Sequence, residues 1–176
     1  MKELPKHIRR DIYKEFLFKD FIYLFRTHFK IIKEDNSGTG KRQLYSWDDT
    51  QYQQFMIKTL QKLEPRFYSP KDYILEVDEE VNEQVYVTSG SYSIGFQERT
   101  QKYFHVKLRE KTIIGGYENL FGYEAEFYFK ALNQLEGYGL RKSNMKPIMD
   151  KFPEFNKQIS SYMVNFYYKI IREPML

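Results

Sequence analysis

The sequence predicts an α+β protein in which a small antiparallel sandwich or barrel lies between helical segments. Three features predict it. Apolar residues recur at three- and four-residue intervals near the amino terminus, period-two runs fill Arg66 to about Leu140, and helical spacing returns after Arg141. At 176 residues, with 41% apolar and 18% aromatic content, the chain is long enough to bury a core of one domain plus an accessory element.

In "ELPKHIRRDIYKEFLFKDFIYLFRTHFKII", Leu4, Ile8, Ile12, Phe16, Leu17, Phe21, Leu24 and Phe25 fall at helical intervals, with Pro5 in the first turn. This predicts one or two amphipathic helices. The polar, glycine-bearing "KEDNSGTGKRQ" then reads as a flexible surface loop. A helix is expected from a Ser46 cap through "WDDTQYQQFMIKTLQKLE", with Trp47, Phe55, Leu60 and Leu63 inward and Pro65 as its stop. The runs "YILEV", "QVYVT", "SYSIGF" and "YFHVKL", separated by "SPKD", "DEEVNE", "SG" and "REKT", predict about eight short antiparallel strands. The final segment is helical, capped by Ser143, with Phe155, Ile159, Tyr162, Met163, Phe166 and Ile170 along one face.

Composition excludes several functions. There is no cysteine, hence no disulfide, thiolate metal site or cysteine nucleophile, which suits a reducing compartment. No run of eighteen apolar residues, signal segment or Asn-x-Ser/Thr acceptor occurs, so a soluble globular protein is expected. The 28 basic and 24 acidic residues are interspersed, reading as solvated faces and giving no reason to expect nucleic-acid binding. His7, His28 and His105 lie on separate elements without carboxylates at metal-ligand spacing. "GTGK" lacks both the first glycine and the Ser or Thr of a phosphate loop, since Arg42 follows the lysine. With no glycine-flanked nucleophile elbow, no enzyme is expected.

The order of elements, together with "LPKHIRRDIYKEF", "FMIKTLQKLEPRFYSPKDYILEVDEEVNEQVYVTSGSYSIGF" and "FKALNQLEGYGLRKSNMKPIMDKFPEF", resembles the cyclic nucleotide-binding domain of voltage-gated and nucleotide-gated cation channels. Pro70, Asp72, Ile74, Val87, Gly90 and Ile94 carry the similarity through the first strands. The resemblance implies an antiparallel β-roll or jelly-roll barrel flanked by amino-terminal linker helices and carboxy-terminal helices. It divides the chain into a linker-like part, residues 1–45, and a nucleotide-binding-like part, residues 46–176. Its partners would be the rest of a channel polypeptide, probed most naturally as a potassium channel, and neighbouring subunits. The domain would then lie on the cytoplasmic side of a membrane that only the parent channel enters, and the fragment itself would be monomeric.

A cyclic phosphate wants a guanidinium and backbone N–H groups, and the ribose 2′-hydroxyl wants a carboxylate. The resemblance places the family's Phe-Gly-Glu turn on Ile114, Gly115 and Gly116, followed by Tyr117, Glu118 and Asn119. It places the arginine on Ala125, beside Glu126 and Phe127. Between Thr112 and Lys130 there is no Lys, Arg, His, Ser or Thr, while Glu118, Glu124 and Glu126 add negative charge. Losing the arginine and the carboxylate should weaken cAMP or cGMP binding by roughly two to four decades.

Two sources for a replacement remain. Glu118 is a candidate ribose partner, and Lys169 or Arg172 of the last helix a candidate phosphate partner. Tyr167, Tyr168 or the "REPML" tail are instead candidates to fill the pocket themselves. Tyr117, Phe121, Tyr123, Phe127 and Phe129 have a plainer reading as barrel filling. Three functions follow: a channel regulatory domain working without nucleotide or any other cofactor, a true cAMP or cGMP sensor with non-standard pocket residues, or an assembly module using Phe18 and Tyr23.

Overall fold

In a computed structural model, which describes residues 4–34, 41–44 and 47–176, helix α1 (Lys6–Ile12) passes through a π-helical turn (Tyr13–Leu17) into α2 (Lys19–Phe25). The π-turn changes which residues face inward. Tyr13, Phe21, Phe25 and Phe29 are buried, whereas the expected core positions Leu4, Ile8, Phe16 and Leu17 are exposed. A turn closed by i→i+5 bonds rotates everything beyond it relative to an unbroken 3.6-residue period.

Strands β1 (Ile31–Glu34) and β2 (Lys41–Leu44) pair antiparallel, Ile31 opposite Leu44, where a flexible loop was expected. The "GTG" of residues 38–40 and the proposed Ser46 cap lie outside the described residues. Helix α3 (Thr50–Leu60) is capped by Asp49, whose Oδ1 accepts from Tyr52 N at 2.8 Å. It ends before Pro65, which sits in a strand.

Eight strands form the roll: β3 (Glu64–Tyr68), β4 (Tyr73–Leu75), β5 (Glu83–Ser89), β6 (Ser91–Glu98), β7 (Gln101–Arg109), β8 (Ile113–Ile114), β9 (Tyr128–Ala131) and β10 (Leu135–Arg141). They make two four-stranded antiparallel sheets, β3-β10-β5-β8 and β4-β9-β6-β7. Helix α4 (Gly116–Phe121) interrupts the roll between β8 and β9. Across β10, Arg66 grips Glu83 with two hydrogen bonds of 2.8 and 2.6 Å, passing over Gly139, where a Cβ would lie 2.7 Å from Glu83 Oε2.

Helix α5 (Lys142–Lys151) has Arg141 at its N-cap, so Ser143 lies inside the helix and makes no cap. Helix α6 (Pro153–Phe166) runs into a second π-helical turn (Tyr167–Arg172) and then α7 (Glu173–Met175). Phe155, Ile159, Met163, Tyr167 and Ile171 are buried at strict four-residue steps, while the expected Ile170 is 41% exposed. The π-turn keeps such steps on one face, where a 3.6-residue helix would carry Ile171 away from it.

Two hydrophobic clusters result. One fills the roll with Val85, Val87, Tyr92, Ile94, Phe129 and Leu135; the other joins the first π-helical turn and α2 to α3, α5 and α6. Strand β5 belongs to both. Val85 and Val87 point into the roll, and Tyr86 points out among Phe21, Phe25 and Phe29 at ring distances of 5.4, 5.0 and 5.7 Å. Helix α6 also belongs to both, because Phe155, Ile159 and Met163 pack in the helical cluster and Tyr167 and Ile171 in the roll. Phe18 is absorbed here, stacked on Tyr13 and edge-on to Tyr138, leaving Tyr23 exposed.

Candidate functional site

The glycine pair solves a packing problem at the start of α4. Gly115 is left-handed (φ 69°), and a Cβ there would lie 2.8 Å from Val81 Cγ1 and 3.2 Å from the Glu83 carbonyl oxygen. Gly116 has ordinary φ, but its Cβ would lie 2.5 Å from Met163 Sδ. What the backbone approaches so closely is the chain's own α6.

That approach brings the end of α6 over residues 114–127, the stretch that the sequence resemblance likens to a phosphate cassette, called the cassette below. The Tyr167 ring lies parallel to Tyr117, centroids 4.1 Å apart at 10°. Its hydroxyl donates to Glu126 Oε2, and Arg172 Nε is 3.7 Å from Glu126 Oε1. Tyr168 stands edge-on to both tyrosines, its hydroxyl 3.5 Å from that of Tyr117, with the Arg172 guanidinium 5.6 Å from its ring centroid. These residues, with Glu118, Tyr123 and Glu124, line a recess of about 350 Å³.

Three acidic residues therefore meet one cation there, among the described residues. Glu118 is 2% exposed, and its buried Oε1 has no hydrogen-bond partner. Burial, opposed by a backbone hydrogen bond and reinforced by Glu126, lifts its carboxyl from 4.5 to about 7. The Tyr117 hydroxyl is pushed up to about 12, first by its contact with Tyr168 and then by burial. Burial and the Glu126 carboxylate also raise Tyr167 strongly. An added phosphate would meet carboxylates, and the one arginine lining the recess stands 3.7 Å from Glu126 and over the Tyr168 ring, its Nε making no hydrogen bond.

The expected site residues divide into two groups. Tyr117, Glu118, Glu126, Tyr167, Tyr168 and Arg172 converge on the recess. Ile114, bonded to Val85 in β8, and Phe127 are buried in the roll cluster. Asn119 is buried, its amide donating to the Val81 carbonyl at 3.2 Å, and Ala125 is buried with its N–H bonded to the Glu79 carbonyl. Lys169 is exposed and does not line the recess. The tail does not fill it either: Met175 packs against the roll and Leu176 is 92% exposed. Phe121 and Tyr123, expected to fill the barrel, are instead 42% and 55% exposed and pack on Tyr117 at ring distances of 5.0 and 5.5 Å, Tyr123 stacked on it. The place of Tyr123 right after Gly122, left-handed at φ 76°, is the signal that could have put it on the rim.

No family model matches the chain, and no curated protein matches its sequence. Among solved structures, 374 chains match. The catabolite activator protein of Thermus thermophilus aligns with a TM-score of 0.58 at 14% identity, covering 66% of this chain and 55% of that one. A mutant of the cAMP-binding acyltransferase from Mycobacterium smegmatis aligns with a TM-score of 0.52 at 10% identity, covering 65% and 35%. The fold is the cyclic nucleotide-binding β-roll, α+β with two antiparallel four-stranded sheets. This chain thus spans about half the length of the first neighbour and a third of the second. No described helix is long and apolar enough to cross a membrane.

Proposed function

We propose that this chain is the regulatory domain of a cation-channel protein, most simply a potassium channel, held on the cytoplasmic side of the membrane. It transmits conformation without high-affinity cAMP or cGMP. The observation that carries this reading is the occupant of the cassette: Tyr167 on Tyr117, hydrogen-bonded to Glu126, in a recess with three carboxylates and one paired arginine. A pocket so lined favours its own aromatic side chain over a phosphate. The channel context is supported by the sequence resemblance, and the coupling by α6, which packs in the helical cluster at Phe155 and caps the cassette at Tyr167.

Titration calorimetry with cAMP and cGMP tests the pocket. No saturable heat is expected, and saturable binding at micromolar concentration overturns the reading. In excised patches carrying the parent protein, currents should ignore cyclic nucleotide and respond to Tyr167→Ala. Arg172 favours one competing reading, a genuine nucleotide sensor, because it is the cation that lines the recess. A sensor would show a melting temperature that climbs with nucleotide concentration and loses that climb in Arg172→Gln.

A further inference from the structure

A second concavity, of about 630 Å³, lies between α1 and α3 and is larger than the cassette recess. Its α3 wall is a single stripe, Thr50, Gln53, Gln54, Ile57, Lys58 and Gln61, at the three- and four-residue spacing of one helix face. The opposite wall carries Lys6, Arg9 and Arg10 from α1, and Lys151 closes one end from the last turn of α5. Among the described residues lining the groove there are five cations and no carboxylate. Arg10 is paired with Asp11 at 2.8 Å, outside the lining, and Arg9 donates to the Leu4 carbonyl at 3.2 Å. Lys6, Lys58 and Lys151 have no carboxylate within ion-pair distance among the described residues.

Like charges gathered on a concave surface raise the local potential and attract a compensating anion. We propose that this groove binds a multiply phosphorylated, hydroxyl-bearing small molecule of the inositol phosphate type, free or as the headgroup of a phospholipid. Three features select that class. Several separated cations from three helices suit several phosphates better than one. The primary amides of Gln53, Gln54 and Gln61 and the Thr50 hydroxyl both donate and accept, as ring hydroxyls require. No Phe, Tyr or Trp lines the groove among the described residues, so a nucleobase would have to stack on His7 or on an arginine, whereas phosphates and hydroxyls find a partner on every wall. The volume falls within the range of ordinary ligand pockets. This site is independent of the cassette and of what the cassette does.

The test uses the full chain, with inositol trisphosphate in titration calorimetry and thermal melting. Vesicles containing phosphatidylinositol bisphosphate are compared in sedimentation with phosphatidylserine vesicles of equal charge. Saturable binding is expected, with a log Kd that rises linearly with log salt. Lys58→Gln and Lys151→Gln, on different helices, should each weaken it about tenfold. Lys107→Gln, an exposed position on β7 with the same loss of charge, should change it less than about twofold. Binding of the soluble phosphate alone assigns a free ligand. Binding of bisphosphate vesicles over phosphatidylserine as well assigns the lipid headgroup. Absence of binding in both arms, or equal loss in Lys107→Gln and the groove variants, overturns the proposal.

Discussion

In the cassette recess Glu118, Glu124 and Glu126 surround one arginine, whereas the groove between α1 and α3 is lined by five cations and by no carboxylate among the described residues, Arg10 being paired with Asp11 outside the lining. The two concavities are reversed in charge: one gathers carboxylates and the other cations, so an anion meets opposite fields in them. The two are joined by packing. Helix α3, whose outer stripe walls the groove, buries Phe55 against Phe155 of α6, rings parallel at 12° with centroids 4.0 Å apart. The far end of the same α6 carries Tyr167 onto Tyr117. An anion bound between α1 and α3 would therefore press on the helix whose far end stacks on Tyr117.

The strongest way to break the cassette side is Gly115→Val. The left-handed backbone disfavours a β-branched residue, and the new side chain meets Val81 and the Glu83 carbonyl. Destabilisation of about 3 kcal/mol is expected in urea unfolding. Inositol trisphosphate should still bind the groove under native conditions, because the side chains nearest Gly115, those of Val81 and Leu75, are not among the described residues lining the groove; loss of both would merge the two regions into one unit.

Glu118→Gln removes the buried carboxyl from the reversed site. The folded carboxyl, at about 7 against 4.5 unfolded, holds its proton the more tightly, so wild-type stability is full below about 4.5 and falls as pH rises through 7. The glutamine variant should lack that fall and gain up to about 3 kcal/mol over wild type at pH 8 to 9. Chemical denaturation at a series of pH values checks it, and parallel profiles would show that Glu118 ionises freely in the folded chain.

Much of this was legible in the sequence, and the failures share a cause. The eight roll strands follow from period-two runs and turn residues, and the glycine pair and the acidic content of 113–130 point to the close approach at α4 and to the carboxylates that line the recess beside it. Helix phase did not come through, because nothing local announces the π-turns at Tyr13 and Tyr167, which rotate Phe16 and Ile170 out and Tyr13 and Ile171 in. The basic groove was equally hidden. Lys6, Lys58 and Lys151 are separated by many acidic residues along the chain, and only the packing of three helices gathers them. Interspersed charge in sequence is not interspersed charge in space.

His28 probes the layer between the two regions. It is 3% exposed, against Phe29, Tyr86 and Tyr162, and burial lowers its pKa from 6.5 to about 3. The unfolded chain binds the proton first, so stability is full above about 6.5 and is lost as pH falls towards 3, by about 2 kcal/mol at pH 5. His28→Gln should flatten this acid limb whatever it does to stability at pH 7. Because Glu118 slopes the other way, the double variant His28→Gln/Glu118→Gln should show the shallowest pH profile of the four proteins; an acid limb that survives His28→Gln would assign it to carboxylates elsewhere.

The smallest effect sharpens the comparison most. Tyr167→Phe keeps the ring on Tyr117 and removes only the hydroxyl that donates to Glu126. Glu126 is partly exposed and retains Arg172 at 3.7 Å, so water and the guanidinium offset much of the loss, and about 1 kcal/mol is expected. If stacking holds the lid, Tyr167→Phe leaves cAMP as poorly bound as before and leaves the groove's affinity for inositol trisphosphate unchanged. If the hydrogen bond to Glu126 holds it, the phenylalanine variant frees Arg172 along with the recess, and cAMP binding appears in calorimetry where the wild-type chain shows none. Tyr167→Ala, which removes ring and hydroxyl together, supplies the reference for a fully open recess. Where Tyr167→Phe falls between wild type and that reference apportions the lid between stacking and hydrogen bonding.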